Sequence, residues 1–183
     1  MKISFIISAC LLILAGPVHA CPIDFIRSAT NSTDLIRPDT IPPENRFTVE
    51  DAEKILGEKA RAGEDKTEIN AISQSFTKSY SALTGDTKTG RTGNLWVIFE
   101  HYNKVEEADA KYDEMLASNR NSPGVKILSN IGDEAWWHSD GTNFYLIIIR
   151  KGNRMFRMKV NRVTSKTSVE EFNRYARKVA ETL

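Results

Sequence analysis

The segment 143–160 has the pattern of hydrophobic and polar positions that is typical of two paired β-strands. Residues 143–149 are apolar on both faces, which predicts a strand buried at the centre of a sheet. Residues 154–160 place Phe156, Met158 and Val160 on one face and polar side chains on the other, which predicts a half-exposed strand. The short segment Lys151-Gly152-Asn153 favours a hairpin turn between them.

Three other segments have strand patterns. Residues 94–102 predict an inner strand, and residues 69–83 predict an edge strand with Ser and Thr on its polar face. Residues 125–138 predict one further strand, which a bulge or turn at Gly132-Asp133 re-aims. The charged segment 58–68 is expected to form a loop.

Helix signals occur at three places in the chain. Thr48 to Asp51 has the pattern of a capping box, and Gly57 marks the end of that helix. Further caps are predicted at Asn103 and at Thr167-Ser168, each before an apolar stripe with helical spacing. We therefore predict an α+β fold in which an antiparallel sheet of about five strands is covered by three helices.

The beginning of the chain has the features of an exported protein. Lys2 precedes an apolar run over residues 3–16, which is too short to span a bilayer as a helix but typical of a signal peptide. We predict a signal peptide over residues 1–20, a proline-rich tether over 21–46 and a single globular domain over 47–183.

Cys21 is expected to be the only cysteine of the mature chain, because Cys10 lies inside the predicted signal peptide. The segment Val18-His19-Ala20-Cys21 resembles a bacterial lipobox, although His19 replaces the usual small residue. This resemblance implies that Cys21 carries a lipid anchor in the cell envelope, in the outer membrane where there are two membranes, because Asp does not follow Cys21. The alternative is a soluble periplasmic or secreted protein with a free thiol.

The charge of the chain argues against a nucleic-acid binder. Without residues 1–20 there are 24 Lys and Arg against 24 Asp and Glu. The segment 150–183 is nevertheless basic, with ten Lys and Arg against three Glu. That excess is either an exposed strand face with cations near a helix end, or a surface for an anionic lipid, polymer or protein.

Few residues offer catalytic or metal-binding chemistry. His101 and His138 are the only histidines after residue 20, and a metal site requires them to converge with a carboxylate. No nucleophile motif is present, so we predict no catalytic residues, no metal site and no cofactor.

Aromatic residues are the more promising candidates for binding. Trp96, Trp136, Trp137 and Tyr145 either pack in the core or form binding anchors. Trp136 and Trp137 point to opposite faces, so one of them is expected to be more exposed. The candidate binding surface consists of Glu134, Trp136, His138, Arg157 and Lys159.

The predicted order of elements resembles the PsbP-like α/β/α sandwich, and in particular small bacterial surface lipoproteins of unknown function with that plan. Four segments carry the resemblance: 48–57, 105–112, Ile131-Gly-Asp-Glu-Ala135 and Arg150-Lys-Gly-Asn153. The resemblance implies a binding or accessory role. We therefore expect a non-enzymatic, lipid-anchored envelope protein, with a soluble carrier of small ligands or a metal-dependent enzyme as alternatives.

Overall fold

The computed structural model describes residues 47–183, so the predicted signal peptide, tether and Cys21 lie outside the described residues. The central element is one antiparallel sheet of seven strands, in the order β1-β2-β3-β7-β6-β5-β4. The strands are β1 (Ala60–Ile69), β2 (Ser73–Ala82), β3 (Asn94–Tyr102), β4 (Val125–Leu128), β5 (Glu134–Ser139), β6 (Tyr145–Lys151) and β7 (Arg154–Val160).

Three helices accompany the sheet: α1 (Val49–Leu56), α2 (Val105–Asn119) and α3 (Val169–Thr182). The predicted capping box of α1 is confirmed, because Thr48 and Asp51 bond to each other's backbone N–H groups. The cap of α2 lies one residue later than predicted, since Glu107 accepts from the N–H of Lys104. The side chain of Asn103 instead donates to the carbonyl of Ala71. No helix among residues 47–183 is long and apolar enough to cross a membrane.

The helices are distributed over both faces of the sheet. The apolar faces of α1 and α3 pack on the side that carries Leu95, Phe156 and Ile147. Helix α2 packs on the opposite side, where Ala108 and Tyr112 contact a smaller apolar cluster around Trp136 and Ile148. The chain is therefore α+β with helices on both faces of an antiparallel sheet, as the sequence predicts.

Strand β1 is the first reason that the sheet is larger than the predicted five strands. Residues 58–68 were expected to form a loop, but β1 occupies most of this segment and pairs with β2 along its length. Nine of its ten residues are exposed, because β1 is an edge strand with a neighbour on one side only. Charged side chains are common on edge strands, where they oppose pairing with another chain. Because β1 occupies the edge, β2 is an inner strand and not the predicted edge strand.

The second additional strand comes from residues 125–138, which form two strands and not one. A turn over residues 129–133 reverses the chain, so that β4 pairs antiparallel with β5. Asn130 and Gly132 have φ angles of 62° and 63° in this turn. The predicted turn at Gly132 therefore exists, but it ends one strand and begins the next.

Candidate functional site

Two rows of cross-strand neighbours run across the sheet on the face that α2 partly covers. Directly opposed residues of paired strands lie on the same face. The Trp96 row contains Ser79, Trp96, Lys159, Leu146 and His138. The Ile98 row contains Thr77, Ile98, Arg157, Ile148 and Trp136. Each row crosses β2, β3, β7, β6 and β5 in that order.

Of these two rows, only residues on β5 and β6 pack in the apolar cluster beneath α2, which also contains Tyr102 of β3 and Met155 of β7. Trp136 and Ile148 are fully buried in the cluster around Tyr112, and Leu146 packs against its margin. The remaining positions on β2, β3 and β7 are all partly exposed. We refer to these six residues as the open face: Thr77, Ser79, Trp96, Ile98, Arg157 and Lys159.

The open face has a mixed chemical character. Trp96 and Ile98 lie at its centre, and neither belongs to either apolar cluster of the core. Hydroxyl side chains from β2 flank them on one side and the two basic residues of β7 on the other. An aromatic ring beside hydroxyl groups and cations is a typical composition of a binding surface.

Lys159 is the free cation of this face. Its Nζ lies 5.6 Å from the centroid of the Phe144 ring, within the range of a cation–π contact. The imidazole of His138 meets the same ring edge-on, with the two centroids 4.9 Å apart. Among residues 47–183 no carboxylate lies within ion-pair distance of Lys159. Its charge is therefore available to an anionic ligand.

Arg157 is held differently, because Glu100 neutralises it. The guanidinium places Nη2 2.9 Å from Oε1 and Nε 2.9 Å from Oε2 of that carboxylate. The Tyr102 hydroxyl donates to the same carboxylate, and burial together with the charge of Glu100 raises the pKa of Tyr102. This hydroxyl consequently stays protonated at neutral pH and helps to fix the ion pair at the border between the open face and α2.

The five residues of the predicted binding surface lie on one face, but Trp136 is not accessible and Glu134 is engaged in an ion-pair cluster. Trp136 is fully buried under α2, so its proposed role as a surface anchor is wrong; Trp137 is the more exposed of the pair. Glu134 is part of an ion-pair cluster in which its Oε2 lies 2.9 Å from Nη2 of the buried Arg150. Lys159, His138 and Arg157 are partly exposed, and Arg157 is neutralised by Glu100.

The basic character of residues 150–183 is compensated only in part in the folded chain, since four of the ten Lys and Arg form ion pairs. Arg150, Arg157 and Lys166 pair with carboxylates that come from outside this segment. Arg174 pairs with Glu171 within α3. The other six, Lys159 among them, have no ion-pair partner within residues 47–183, and of these six Lys159 is the one that belongs to the open face.

The two histidines do not form a common site. His101 lies on β3 on the face covered by α1 and α3, whereas His138 lies on the opposite face. The Nε2 atom of His101 is 2.9 Å from Nδ2 of Asn153, and burial followed by the charge of Arg154 lowers its pKa. No group of three or more His, Cys, Asp or Glu residues within 47–183 is arranged to hold a metal ion.

A closed cavity lined by Trp96, Phe99 and Ile147 would favour the alternative of a small-ligand carrier, but the sheet separates these residues. Trp96 lies on the open face, whereas Phe99 and Ile147 are buried on the other face. These three side chains therefore do not line one cavity. Phe144 was not singled out by the sequence pattern, because only the fold brings it against Lys159 and His138.

Comparisons of the chain with models of protein families, with curated proteins and with solved structures find no match.

Proposed function

We propose that this protein is a non-enzymatic binding module of the bacterial cell envelope, anchored through a lipid on Cys21 and binding its partner across the open face. The observation that carries the proposal is the open face, whose six side chains stay partly exposed beside α2 among residues 47–183, with Trp96 at its centre and Lys159 as its unpaired cation. The segment before Cys21 resembles a lipobox, which supports the anchor. The resemblance of the predicted order of elements to the PsbP-like sandwich favours an accessory role over catalysis.

A cysteine footprint in the native envelope tests the use of this face. Thr77→Cys places a thiol on the open face, and Ser118→Cys places one on the exposed surface of α2. If a partner covers the open face, maleimide modifies Thr77→Cys about tenfold more slowly in intact envelopes than in the purified protein. Modification is counted at each peptide by mass spectrometry, so Cys21 is followed separately.

Ser118→Cys is the matched control, and its modification rate is expected to be the same in both preparations. Equal rates for Thr77→Cys in envelopes and in purified protein contradict the proposal. Protection of Ser118→Cys alone also contradicts it, because the partner would then cover α2 and leave the sheet free.

A further inference from the structure

We infer that the ligand of the open face is an acidic polysaccharide, an inference that rests on the proposed function and specifies its partner.

The backbone of the open face is not available to a ligand. Strands β2, β3 and β7 each have a paired neighbour on both sides, so their N–H and C=O groups are used within the sheet. A peptide that binds as an added strand requires a free edge. Recognition on the open face therefore depends on side chains alone.

The side chains suit a polar ring better than an apolar protein surface. Trp96 supplies a flat indole face, and Thr77 supplies a hydroxyl group on the neighbouring strand. The Oγ atom of Ser79 accepts a hydrogen bond from the backbone N–H of Glu64, so this hydroxyl serves a ligand as a donor. The large hydrophobic residues that are strongly exposed in residues 47–183 do not include any member of the open face. A sugar ring can stack on the Trp96 indole while its hydroxyl groups form hydrogen bonds with the hydroxyl side chains of β2.

The charge of the face selects an anionic polymer. Neither the Trp96 row nor the Ile98 row contains Asp or Glu between β2 and β5, and Lys159 is an unpaired cation. Across β2, β3 and β7 the open face spans two strand spacings of about 4.8 Å, roughly 10 Å in all. A strip of that length is suited to about two sugar rings of a linear chain, with an acidic group beside Lys159.

Affinity electrophoresis of the full chain through gels containing polygalacturonate, dextran sulfate or neutral dextran tests the inference. We expect retardation by at least one acidic polymer and not by dextran, with weaker retardation as the salt concentration rises. Lys159→Glu is expected to weaken binding about tenfold or more, because it removes a charge-assisted contact. Trp96→Ala is expected to weaken it to a similar degree, and Lys159→Arg is expected to retain it.

Lys126→Glu is the matched control, because Lys126 is an exposed strand lysine on the opposite face of the sheet. Thermal melts of every variant separate lost binding from lost folding, and Lys159 is partly exposed, so Lys159→Glu keeps the fold. Equal weakening by Lys126→Glu and Lys159→Glu overturns the inference, because the charge then acts without regard to position.

The remaining outcomes distinguish the inference from the proposed function. Failure to bind either acidic polymer overturns the inference, and the proposed function stands if Thr77→Cys is still protected in envelopes. Binding to anionic phosphatidylglycerol vesicles, weakened by Lys159→Glu, in place of the polymers also overturns it, because the open face is then a lipid-headgroup site. Failure to bind together with an unprotected Thr77→Cys overturns both.

Discussion

Trp136→Ala is expected to destabilise the domain by about 3–5 kcal/mol, the range for removing a fully buried aromatic side chain. Trp136 is 0% exposed and lies between Ile148 of the sheet and the apolar residues of α2. Its loss leaves a cavity in the smaller of the two cores, and few side chains are available there to fill it. In a domain of this size the melting temperature should fall by roughly 10–20 °C.

Trp136→Phe is the informative companion variant. It keeps a ring in the same place and removes the indole Nε1–H, which is buried and has no hydrogen-bond partner among the described residues. Because burying an unpartnered donor is itself costly, we expect a loss of less than about 2 kcal/mol. Denaturant unfolding of both variants measures these differences; a loss under about 1 kcal/mol for Trp136→Ala contradicts its placement in the core.

Gly57→Ala is expected to cost about 3 kcal/mol or to prevent folding. Gly57 ends α1 with a φ of 73°, a left-handed conformation that costs other residues about 1–2 kcal/mol. A Cβ atom at this position would lie 2.0 Å from the carbonyl oxygen of Lys166. The contact is with backbone, so the segment before α3 must move away from the end of α1.

Gly141→Ala separates the conformational cost of a positive φ angle from the cost of the steric contact with Lys166. Gly141 has a φ of 79°, but a Cβ atom there would meet nothing within 4 Å. We expect it to lose only the conformational cost of about 1–2 kcal/mol. Equal losses for the two variants, measured by chemical denaturation, would show that the approach of Lys166 to Gly57 does not constrain the fold.

The sequence predicted best the elements in which burial dictates the residue pattern. The run of apolar residues in β6 identified a strand buried on both faces, and Ile147, Ile148 and Ile149 are at most 1% exposed. The stripe through Phe172 and Ala176 likewise predicted the buried face of α3, which is confirmed. In both cases the environment of each residue follows from its neighbours in the chain.

Elements that depend on distant neighbours were missed. The residues of β1 do not alternate between apolar and polar, so the local sequence gave no strand signal. Its pairing with β2 is what makes this segment a strand. The burial of Trp136 depends on where α2 lies, which the pattern of β5 does not specify.

Asp86 has the sequence context of a turn residue, yet it accepts hydrogen bonds from the backbone N–H and hydroxyl of Ser165. Those bonds hold its pKa well below the usual range.

The candidate site was predictable only in part for the same reason. The alternation of β7 correctly placed Lys159 and Arg157 on the polar face of their strand. Local sequence gives no sign that Glu100 neutralises one of them and leaves the other free. The sequence also placed the aromatic anchor at Trp136, whereas the fold exposes Trp96 on the open face.

The intact mass of the mature protein, purified from the membrane fraction of its own host, tests most directly whether this is an anchored envelope module. The account predicts a chain that begins at Cys21 and carries an acylated glyceryl group on that residue. An unmodified chain in the soluble fraction would contradict the anchor, and the open face would then belong to a soluble periplasmic or secreted protein.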